Sequence, residues 1–416
     1  MKKACIAFAR GCPRSMMDAA LIVDYFAQNQ WQITTKFREA DIILIGTCGV
    51  DIDNEDKSMK FLSIANKKKK KDAKLIAFGC LAGINAQRLV NAFDIIPISK
   101  KNLHMLDDLI DPQVQMRLLD PPNDLTNYMH YLTESFTVFD NTFAEFSIRK
   151  PFNVLSSIVS QCISRELYLP IHNLFDKICK RNRLFGEAGI FNLRISKGCN
   201  GLCSYCAIKF ASGNLQSEPL EKILQQFELG LSKGYEIFNL VAEDVGAYGQ
   251  DIGLNIVDLF VEIFNRDDEF KVKFSDFSPK WLILHFPDLL KIFVNNKYRL
   301  GHTGMPVQSG SEKILKSMQR EYTIAQTKDC IRALRKAVPQ LFIKTHMMVG
   351  FPGESDEDFD DSIKLIETRI FDQINVYKYS DRPGTEASVM PGKISELTKE
   401  LRYLRMRRVI KQVFKF

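Results

Sequence analysis

Three apolar stretches in the first eighty residues each lead into a cysteine. They read ACIAFARGC, ADIILIGTC and AKLIAFGC, and they predict strands over residues 3–9, 40–47 and 73–79. The middle stretch is apolar throughout, which favours a strand that is buried on both faces. Helical patterns at 16–28 and 57–66 complete a β-α-β-α-β order. That order predicts a parallel sheet with right-handed crossovers.

The cysteines at the ends of these stretches are Cys12, Cys48 and Cys80. The C-terminal ends of adjacent parallel strands share one edge, where open α/β sheets bind ligands, so we expect the three thiols to converge. Each one alone could be a buried and inert thiol, since free cysteine is among the most buried residue types. Their repetition at three strand ends favours a site. The cysteines that we interpret as structural are Cys5, Cys162, Cys179 and Cys330.

Length and composition indicate a globular protein of two to three domains. The chain has 416 residues, of which 45% are hydrophobic and 26% charged, which excludes a wholly disordered or fibrous class. No apolar run reaches the roughly 18 residues of a membrane helix, and we expect no secretory signal. Ten cysteines are too few for a disulfide scaffold, so we expect a reducing, cytoplasmic location. The net charge of +7 permits an anionic partner such as RNA without requiring one.

A second alternation of strands and helices begins near residue 190. The predicted strands are 191–196, 236–242, 271–277, 299–307, 341–349 and 373–379. The helical stretches between them include 217–232, 255–266, 311–319, 324–337 and 356–368. Six β/α units predict a partial (β/α)6 barrel, in which functional sites lie at the C-terminal ends of the strands.

These patterns divide the α/β chain into four segments. We expect an N-terminal three-cysteine domain with a flavodoxin-like parallel sheet over 1–112, a linker or insertion over 113–185 with helix at about 153–180, a barrel over 186–392 and a basic C-terminal helix over 393–416. The apolar side chains near one face of the last helix are Leu397, Leu401, Leu404 and Val413. That face could pack on the barrel, or the basic residues could meet an anionic surface.

The segment KGCNGLCSYC carries the most specific spacing in the chain. It places Cys199, Cys203 and Cys206 in a C-x3-C-x2-C pattern straight after a predicted strand. Three thiolates on one short loop can bind three irons of a 4Fe–4S cluster and leave the fourth iron open. Gly198 and Gly201 allow such a loop to wrap a cluster. The alternatives are chance or a structural zinc site, which needs a fourth ligand that no nearby Cys or His supplies.

This spacing resembles the signature of radical S-adenosylmethionine (SAM) enzymes. The resemblance implies that SAM binds the open iron and is cleaved to a 5′-deoxyadenosyl radical. It places Tyr205 against the adenine, and it places Glu243 and Gln308, at predicted strand ends, near SAM. The alternatives for these three are loop packing and polar capping of the barrel mouth. No catalytic residue beyond the cluster ligands is predicted.

The two cysteine sets together resemble the methylthiotransferase family over most of the chain. The matching segments are GCPRS, GTCGV, FGCLAG, KGCNGLCSYCAIKF, AEDVGAYGQDIG, PVQSGS, MQREYT, GFPGES and YSDRPGT. EDVGAYGQDIG and REYT are most similar to the archaeal and eukaryotic branch, which methylthiolates threonylcarbamoyladenosine beside the anticodon of tRNA. The resemblance implies a second 4Fe–4S cluster on Cys12, Cys48 and Cys80 that holds the transferred sulfur. It also implies an electron donor such as flavodoxin or ferredoxin, and a radical that abstracts hydrogen from a C–H which no side-chain base could deprotonate.

The chain departs from the family pattern in places that concern the substrate. The family normally carries a C-terminal RNA-gripping β domain named TRAM, and this sequence ends at Phe416 without one. Gly304 stands where a His is common, and His346 stands where an Asp is common. In many relatives the segment after the core cysteines contains Arg-Gly and a later Arg, where this chain has ASGNLQSE, with Ser212 and Glu218.

Several readings of the function stay open at this point. The substrate could be tRNA, a peptide, a protein or a small molecule; the chain could also be a radical SAM enzyme of another reaction type, or a non-catalytic iron–sulfur or RNA-binding protein. A lysine run at 67–71 is interpreted as a solvated helix end. Arg382 could line the substrate opening or serve in a turn. The terminal basic residues available for RNA phosphates are Arg402, Arg405, Arg407, Arg408, Lys411 and Lys415.

Overall fold

A computed structural model of the protein describes residues 1–9, 11–128 and 189–414. The predicted helix at 153–180, with Cys162 and Cys179, lies outside these ranges. The predicted segment 113–185 is described only as far as Tyr128, so its bounds stay a prediction. The described residues divide into two compact units, Met1–Asn192 with Phe210–Ser212 and Leu193–Lys209 with Gly213–Phe416.

The first unit is built on a five-stranded sheet. Its strands are β1 (Lys3–Phe8), β2 (Gln32–Ile33), β3 (Ile42–Thr47), β4 (Lys74–Gly79) and β5 (Ile96–Ser99). The order is β2-β1-β3-β4-β5, and every pairing is parallel. This is the flavodoxin-like order, whose topological switch point lies between β1 and β3. The predicted sheet class is therefore confirmed.

Helices flank this sheet and begin earlier than the apolar pattern predicts. They are α1 (Pro13–Gln28), α2 (Ile52–Lys68), α3 (Cys80–Ile84), α4 (Ala86–Ala92) and α5 (Asp107–Ile110). Pro13 suits the first turn of α1 because its missing N–H has no partner there in any helix. Asp51 caps α2 by accepting the N–H of Asn54 at 2.8 Å. All six residues of β3 are buried, and so is Cys5, as expected for a structural thiol.

The second unit contains a six-stranded sheet of the order β13-β12-β11-β10-β9-β6. Its strands are β6 (Ile190–Arg194), β9 (Ile237–Val241), β10 (Lys271–Phe274), β11 (Leu300–Gly304), β12 (Ile343–Val349) and β13 (Gln373–Lys378). The pairings from β9 to β13 are parallel. A short antiparallel pair, β7 (Ser196–Lys197) with β8 (Gln216–Ser217), follows β6. The six strands agree with the predicted partial barrel.

Helices alternate with these strands. They are α6 (Ile208–Ser212), α7 (Leu220–Ser232), α8 (Ile256–Phe264), α9 (Pro279–Leu284), α10 (Phe286–Asn295), α11 (Glu312–Ser317), α12 (Ile324–Ala337), α13 (Asp356–Glu367), α14 (Glu386–Val389) and α15 (Glu396–Phe414). Helix α12 matches the predicted 324–337 and opens with a capping box between Thr323 and Gln326. None of the helices in the described ranges has the length and apolar character needed to cross a membrane.

The predicted strand at 299–307 is wrong in its last three residues. Strand β11 ends at Gly304, and the chain leaves the sheet before Gln308 forms an isolated parallel bridge with Met347. Gln308 has a φ of +76°, a left-handed conformation that no regular strand contains. The apolar pattern continued through this turn because Met305 and Val307 are buried without belonging to the strand.

The leucines of α15 do not form the buried face that the sequence pattern predicts. Leu397, Leu401 and Leu404 are 71%, 59% and 50% exposed, and the buried side chains of this helix are Lys399, Arg402 and Met406. The helix is thus held by partners for its charged groups. The lysine run behaves as expected: α2 ends at Lys68, and the Lys70 ammonium pairs with Asp41 at 2.6 Å.

Candidate metal centres and cofactor site

The three N-terminal cysteines lie at the C-terminal ends of three adjacent strands. Cys12 is the N-cap of α1 after β1, Cys48 follows β3 directly, and Cys80 follows β4 as the first residue of α3. Cys12 and Cys48 therefore flank the switch point of the sheet, where flavodoxin-like folds bind their ligands. The structure agrees with the shared edge that the sequence predicted.

The backbone around this edge requires its glycine. Gly79 has a φ of +104°, and a Cβ there would lie 2.7 Å from the carbonyl oxygen of Thr47. The Thr47 hydroxyl donates to the carbonyl of Phe78 at 2.8 Å, which joins the ends of β3 and β4. The backbone N–H of Cys48 donates to Ser58 Oγ at 3.0 Å. These contacts fix the two chain exits that carry Cys48 and Cys80.

The charges around the N-terminal thiols show that the three are neighbours. Burial raises the pKa of Cys80 to about 12, and the nearby Cys48 and Cys12 raise it further, whereas Lys100 and Arg14 oppose the shift. Burial also disfavours the Cys12 thiolate, but Arg14, Lys100 and a 3.3 Å contact with Ser15 Oγ outweigh it, so the pKa of Cys12 is lowered. Two cations thus face a group of three thiols, which suits a negatively charged occupant.

The second cysteine set lies on a loop that distant parts of the second unit hold in place. Within the loop, Cys199 N–H donates to the Gly213 carbonyl at 3.1 Å. Ser204, between Cys203 and Cys206, donates its N–H to the carbonyl of Met318 at 3.1 Å. The Ser204 carbonyl accepts the N–H of Ala387 at 2.9 Å. The loop is therefore pinned between the ends of α11 and the start of α14.

Gly198 fits this loop and no larger residue does. Its φ is +72°, and a Cβ would lie 1.9 Å from the carbonyl oxygen of Asn214. Gly201 donates its N–H to Cys199 Sγ at 3.2 Å. A Cβ on Gly201 would lie 3.1 Å from Cys199 Sγ and 3.9 Å from Cys203 Sγ, so both sulfurs face the same bare backbone. A side chain at either glycine would thus occupy space beside the loop backbone or its sulfurs.

Two of the thiols on this loop have pKa values that are raised by burial and by the neighbouring cysteines. Burial raises the pKa of Cys199 to about 12, with smaller contributions from Asp244, Cys206 and Cys203. Burial also raises the pKa of Cys206, and Cys203 adds to the shift. Unpaired thiolates at Cys199 and Cys206 are thus disfavoured, which suits a site where metal binding removes the protons.

Sequence reasoning missed Arg320, which lies in the quoted segment MQREYT and received no role. Its Nη1 donates to Cys203 Sγ at 3.2 Å. Its Nη2 donates to the Pro306 carbonyl at 2.9 Å, and its Nε donates to the Tyr322 hydroxyl at 3.0 Å. The only sequence signal was its place within a family-like motif, because 117 residues separate the two contacting side chains.

Asp244 was also missed, although its neighbour Glu243 was predicted. The Asp244 carboxylate accepts from Trp281 Nε1 at 2.8 Å and from the backbone N–H of Ser278 at 3.2 Å. Burial raises the pKa of Asp244, while these hydrogen bonds and Arg320 oppose the shift. Asp244 thus connects the exit of β9 to the start of α9, on the side of Cys199.

The three predicted cofactor contacts differ in how the protein holds them. Tyr205 packs against an apolar cluster that includes Met318, Phe351 and Tyr379. Gln308 is fixed by its backbone, which donates to the His346 carbonyl at 2.8 Å, and its side chain makes no hydrogen bond to any described residue. Glu243 follows β9 by two residues and is partly buried.

The departures from the family pattern lie around the same sheet. His346, on β12, packs edge-on to Tyr377 with 5.3 Å between ring centroids. Burial lowers the pKa of His346, and Asp276 opposes that shift. Gly304 ends β11, and Arg382 is buried and donates to Ser380 Oγ at 3.2 Å.

Family models match both halves of the described chain. Residues 193–366 match the radical SAM superfamily, and residues 5–98 match the uncharacterized protein family UPF0004. Together the two models span well over half of the chain and contain all six clustered cysteines.

Curated relatives carry two related names. A ribosomal protein uS12 methylthiotransferase RimO of Protochlamydia amoebophila is 28% identical over 97% of this chain and 76% of its own length. A probable threonylcarbamoyladenosine tRNA methylthiotransferase of Pyrococcus abyssi is 39% identical over 50% of this chain and 48% of its own length. The chain belongs to the radical SAM methylthiotransferase family. This methylthiotransferase shares its fold with the radical SAM methyltransferase TsrM from Kitasatospora setae, at a TM-score of 0.59 and 10% identity over 94% of this chain and 77% of TsrM.

The cofactors that the two domains imply are SAM and two 4Fe–4S clusters, and the residues of the methylthiotransferase fit them. All six cysteines are free thiols. No group of three or more Cys, His, Asp or Glu side chains in the described ranges lies close enough to hold a single metal ion. In a cluster each thiolate binds a different iron, so wider spacing is required. Each set also faces cations, Arg320 at one and Arg14 with Lys100 at the other, which suits an anionic cluster.

Proposed function

We propose that this methylthiotransferase inserts a methylthio group at a C–H of a modified adenosine beside the anticodon of tRNA. The observation that carries the proposal is the identity to relatives named for that reaction. The tRNA methylthiotransferases of two Pyrococcus species reach 39% identity over about half of this chain, whereas the uS12 relatives are 25–28% identical over nearly all of it. The segments AEDVGAYGQDIG and MQREYT resemble the same branch.

The two cysteine sets take separate roles in this proposal. Cys199, Cys203 and Cys206 would hold the cluster that binds SAM, and the other set would hold the auxiliary cluster. When bound, these cofactors supply radical cleavage of SAM and a sulfur atom for transfer. The ligands of the auxiliary cluster are Cys12, Cys48 and Cys80.

The three other residues with a proposed role would contact SAM. Tyr205, held against Phe351 and Tyr379, presents a ring beside the cysteine loop for the adenine of SAM. Gln308 has a side chain without a hydrogen-bond partner among the described residues, so it can bond SAM without breaking an existing contact. Glu243 supplies an acceptor at the exit of β9. The electron donor we propose is a low-potential protein such as flavodoxin or ferredoxin.

A second candidate substrate is a residue of ribosomal protein uS12. The observation in its favour is coverage, because the uS12 methylthiotransferases align over 96–97% of this chain. The structure also reduces the cationic surface of α15, since Arg402 is buried and Arg405 pairs with Asp360 at 2.9 Å.

Mass spectrometry of both substrates tests the proposal. Cells with and without the gene are compared for methylthio-adenosines in digested tRNA and for a methylthio-modified peptide of uS12. Complementation uses the wild type, Cys203→Ala as the inactive form and Cys330→Ala as the matched control. We expect the tRNA modification to disappear without the gene and to return with wild type and Cys330→Ala. A modification that appears only on uS12 contradicts the tRNA assignment and keeps the reaction class.

A further inference from the structure

A side-chain hydrogen bond to the core cysteines comes from a cation 114 to 121 residues away in the chain. Arg320 Nη1 lies 3.2 Å from Cys203 Sγ, as a donor to the sulfur. Among the residues that the structure describes, no other side chain donates a hydrogen bond to Cys199, Cys203 or Cys206. Arg320 therefore has direct access to one thiolate of the proposed core cluster.

The guanidinium is oriented by groups that do not depend on the sulfur. Nη2 donates to the Pro306 carbonyl at 2.9 Å and to Ser278 Oγ at 3.3 Å. Nε donates to the Tyr322 hydroxyl, which itself donates to the Val307 carbonyl at 2.7 Å. Tyr322 is only 6% exposed. These neutral acceptors aim Nη1 at Cys203 before any cluster is bound.

Among the described residues no Asp or Glu forms an ion pair with the Arg320 guanidinium. Asp244 lies close enough for Arg320 to oppose the rise in its pKa, but the two side chains make no direct contact. Asp244 is instead held by Trp281 and the Ser278 backbone. A partly buried cation with only neutral partners is costly unless an anion approaches it. A cluster bound through Cys203 would bring an anion into direct hydrogen-bond contact with Arg320.

We propose that Arg320 raises the reduction potential of the cluster held by Cys199, Cys203 and Cys206. The inference rests on the proposed role of these cysteines. One-electron reduction adds a negative charge to the cluster, and Arg320 stabilises the reduced form more than the oxidised form. Hydrogen bonds to cluster sulfurs are among the factors that set such potentials. The electron comes from the low-potential donor, and no proton moves because the guanidinium stays protonated throughout.

The test is a redox titration of the full-length chain, followed by electron paramagnetic resonance, in a background where Cys12, Cys48 and Cys80 are alanine. That background should retain about four irons per chain. In Arg320→Gln we expect the equilibrium constant for reduction to fall at least tenfold, a shift of about 59 mV to more negative potential. Arg320→Lys should shift the reduction potential less, because lysine keeps the positive charge but lacks the several N–H donors of the guanidinium.

The matched control is Arg335→Gln. Arg335 also donates to backbone carbonyls, of Ile370 and Leu341 at 3.0 and 2.8 Å. It differs from Arg320 in that it pairs with Asp372 and contacts no cysteine. Its loss should leave the potential unchanged. An Arg320→Gln protein with about four irons and the wild-type potential would overturn the inference while leaving the cysteine assignment intact. A background protein that binds no iron would instead overturn the cysteine assignment itself.

Discussion

Arg402 and Glu354 form an ion pair in which Nη1 lies 2.7 Å from Oε2, and both side chains are at most 9% exposed. The same carboxylate oxygen accepts the N–H of Gly350 at 2.7 Å. Arg402 Nη2 reaches Asp356 at 2.7 Å. The pair joins α15 to the GFPGES loop after β12, so Arg402 has a structural role and is not available to bind RNA.

Replacing Arg402 by methionine should destabilise the protein strongly. It leaves the Glu354 carboxylate buried without its cation, which costs about 3–5 kcal/mol. The measurement is denaturant unfolding of the cluster-free chain. Arg405→Met is the control, since the Arg405–Asp360 pair is 56% and 47% exposed and should contribute under about 1 kcal/mol. Equal losses in the two variants would contradict this account of α15.

Asp358 should make the free energy of unfolding depend on pH in the acid range. Burial opposes its ionisation, but hydrogen bonds from Lys313, Ser355 and Ser311 outweigh burial and lower the pKa of Asp358 from 3.8 to about 2. Because the unfolded pKa is the higher one, the ionised form contributes about 2 kcal/mol above about pH 4, and this is lost as pH falls towards 2. Asp358→Asn should therefore cost about 2 kcal/mol at pH 7 and progressively less below pH 4.

The comparison is the free energy of unfolding of Asp358→Asn and wild type between pH 7 and pH 2.5. Asp361→Asn is the control, because the Asp361 side chain is 46% exposed and pairs only with an exposed lysine. It should change stability little at any pH. A cost for Asp358→Asn that stays constant with pH would show that the carboxylate charge is not what the site uses.

The two cysteine sets should be separable by iron content. Wild type should reconstitute with about eight irons, and alanine at Cys12, Cys48 and Cys80 should leave about four together with SAM cleavage to 5′-deoxyadenosine. The sulfur-transfer product should be absent. Alanine at Cys203 should abolish SAM cleavage, whereas Cys330→Ala, in α12, should keep both properties. Methylthio product from the triple variant would place the auxiliary site elsewhere.

Gly198→Ala should destroy the core site without unfolding the first unit. A Cβ at 1.9 Å from the Asn214 carbonyl cannot be accommodated by the backbone, so the loop must move. We expect loss of about four irons and of SAM cleavage. Gly234→Ala is the matched control: its φ is +77°, but no atom lies within 4 Å of the added Cβ. It carries the conformational strain alone and should keep the iron.

If tRNA is the substrate, the exposed basic residues near the end of α15 should contact its phosphates. Arg407, Arg408 and Lys411 are exposed, and replacing them by glutamine should flatten the salt dependence of tRNA binding by up to about two units of log–log slope. The charge-matched control changes three basic residues of α12, Lys328, Arg332 and Lys336. Identical slopes in both triple variants would favour a protein substrate. SAM cleavage without tRNA should be unchanged in each.

Much of the fold was predictable because its signals are local. Apolar runs such as 40–47 predict buried parallel strands, and adjacent parallel strands must share an edge, so Cys12, Cys48 and Cys80 could be grouped from sequence. The contact between Arg320 and Cys203 could not, since neither residue's neighbourhood in the chain points to the other. The predicted orientation of α15 was also wrong. Leucine spacing predicts an apolar face, but the Arg402–Glu354 pair determines which side of the helix is buried.

The cysteine loop of the second unit is held by partners that the ribosome makes much later than the loop itself. Ser204 needs Met318 and Ala387 for its backbone hydrogen bonds. The N-terminal thiols follow β1, β3 and β4, and the cations beside them are Arg14 and Lys100, all within the first hundred residues. Since synthesis proceeds from the N-terminus and domains fold as they emerge, the two sites mature at different times. A nascent chain therefore contains all three N-terminal thiols well before the core loop can reach its final geometry, which requires Ala387.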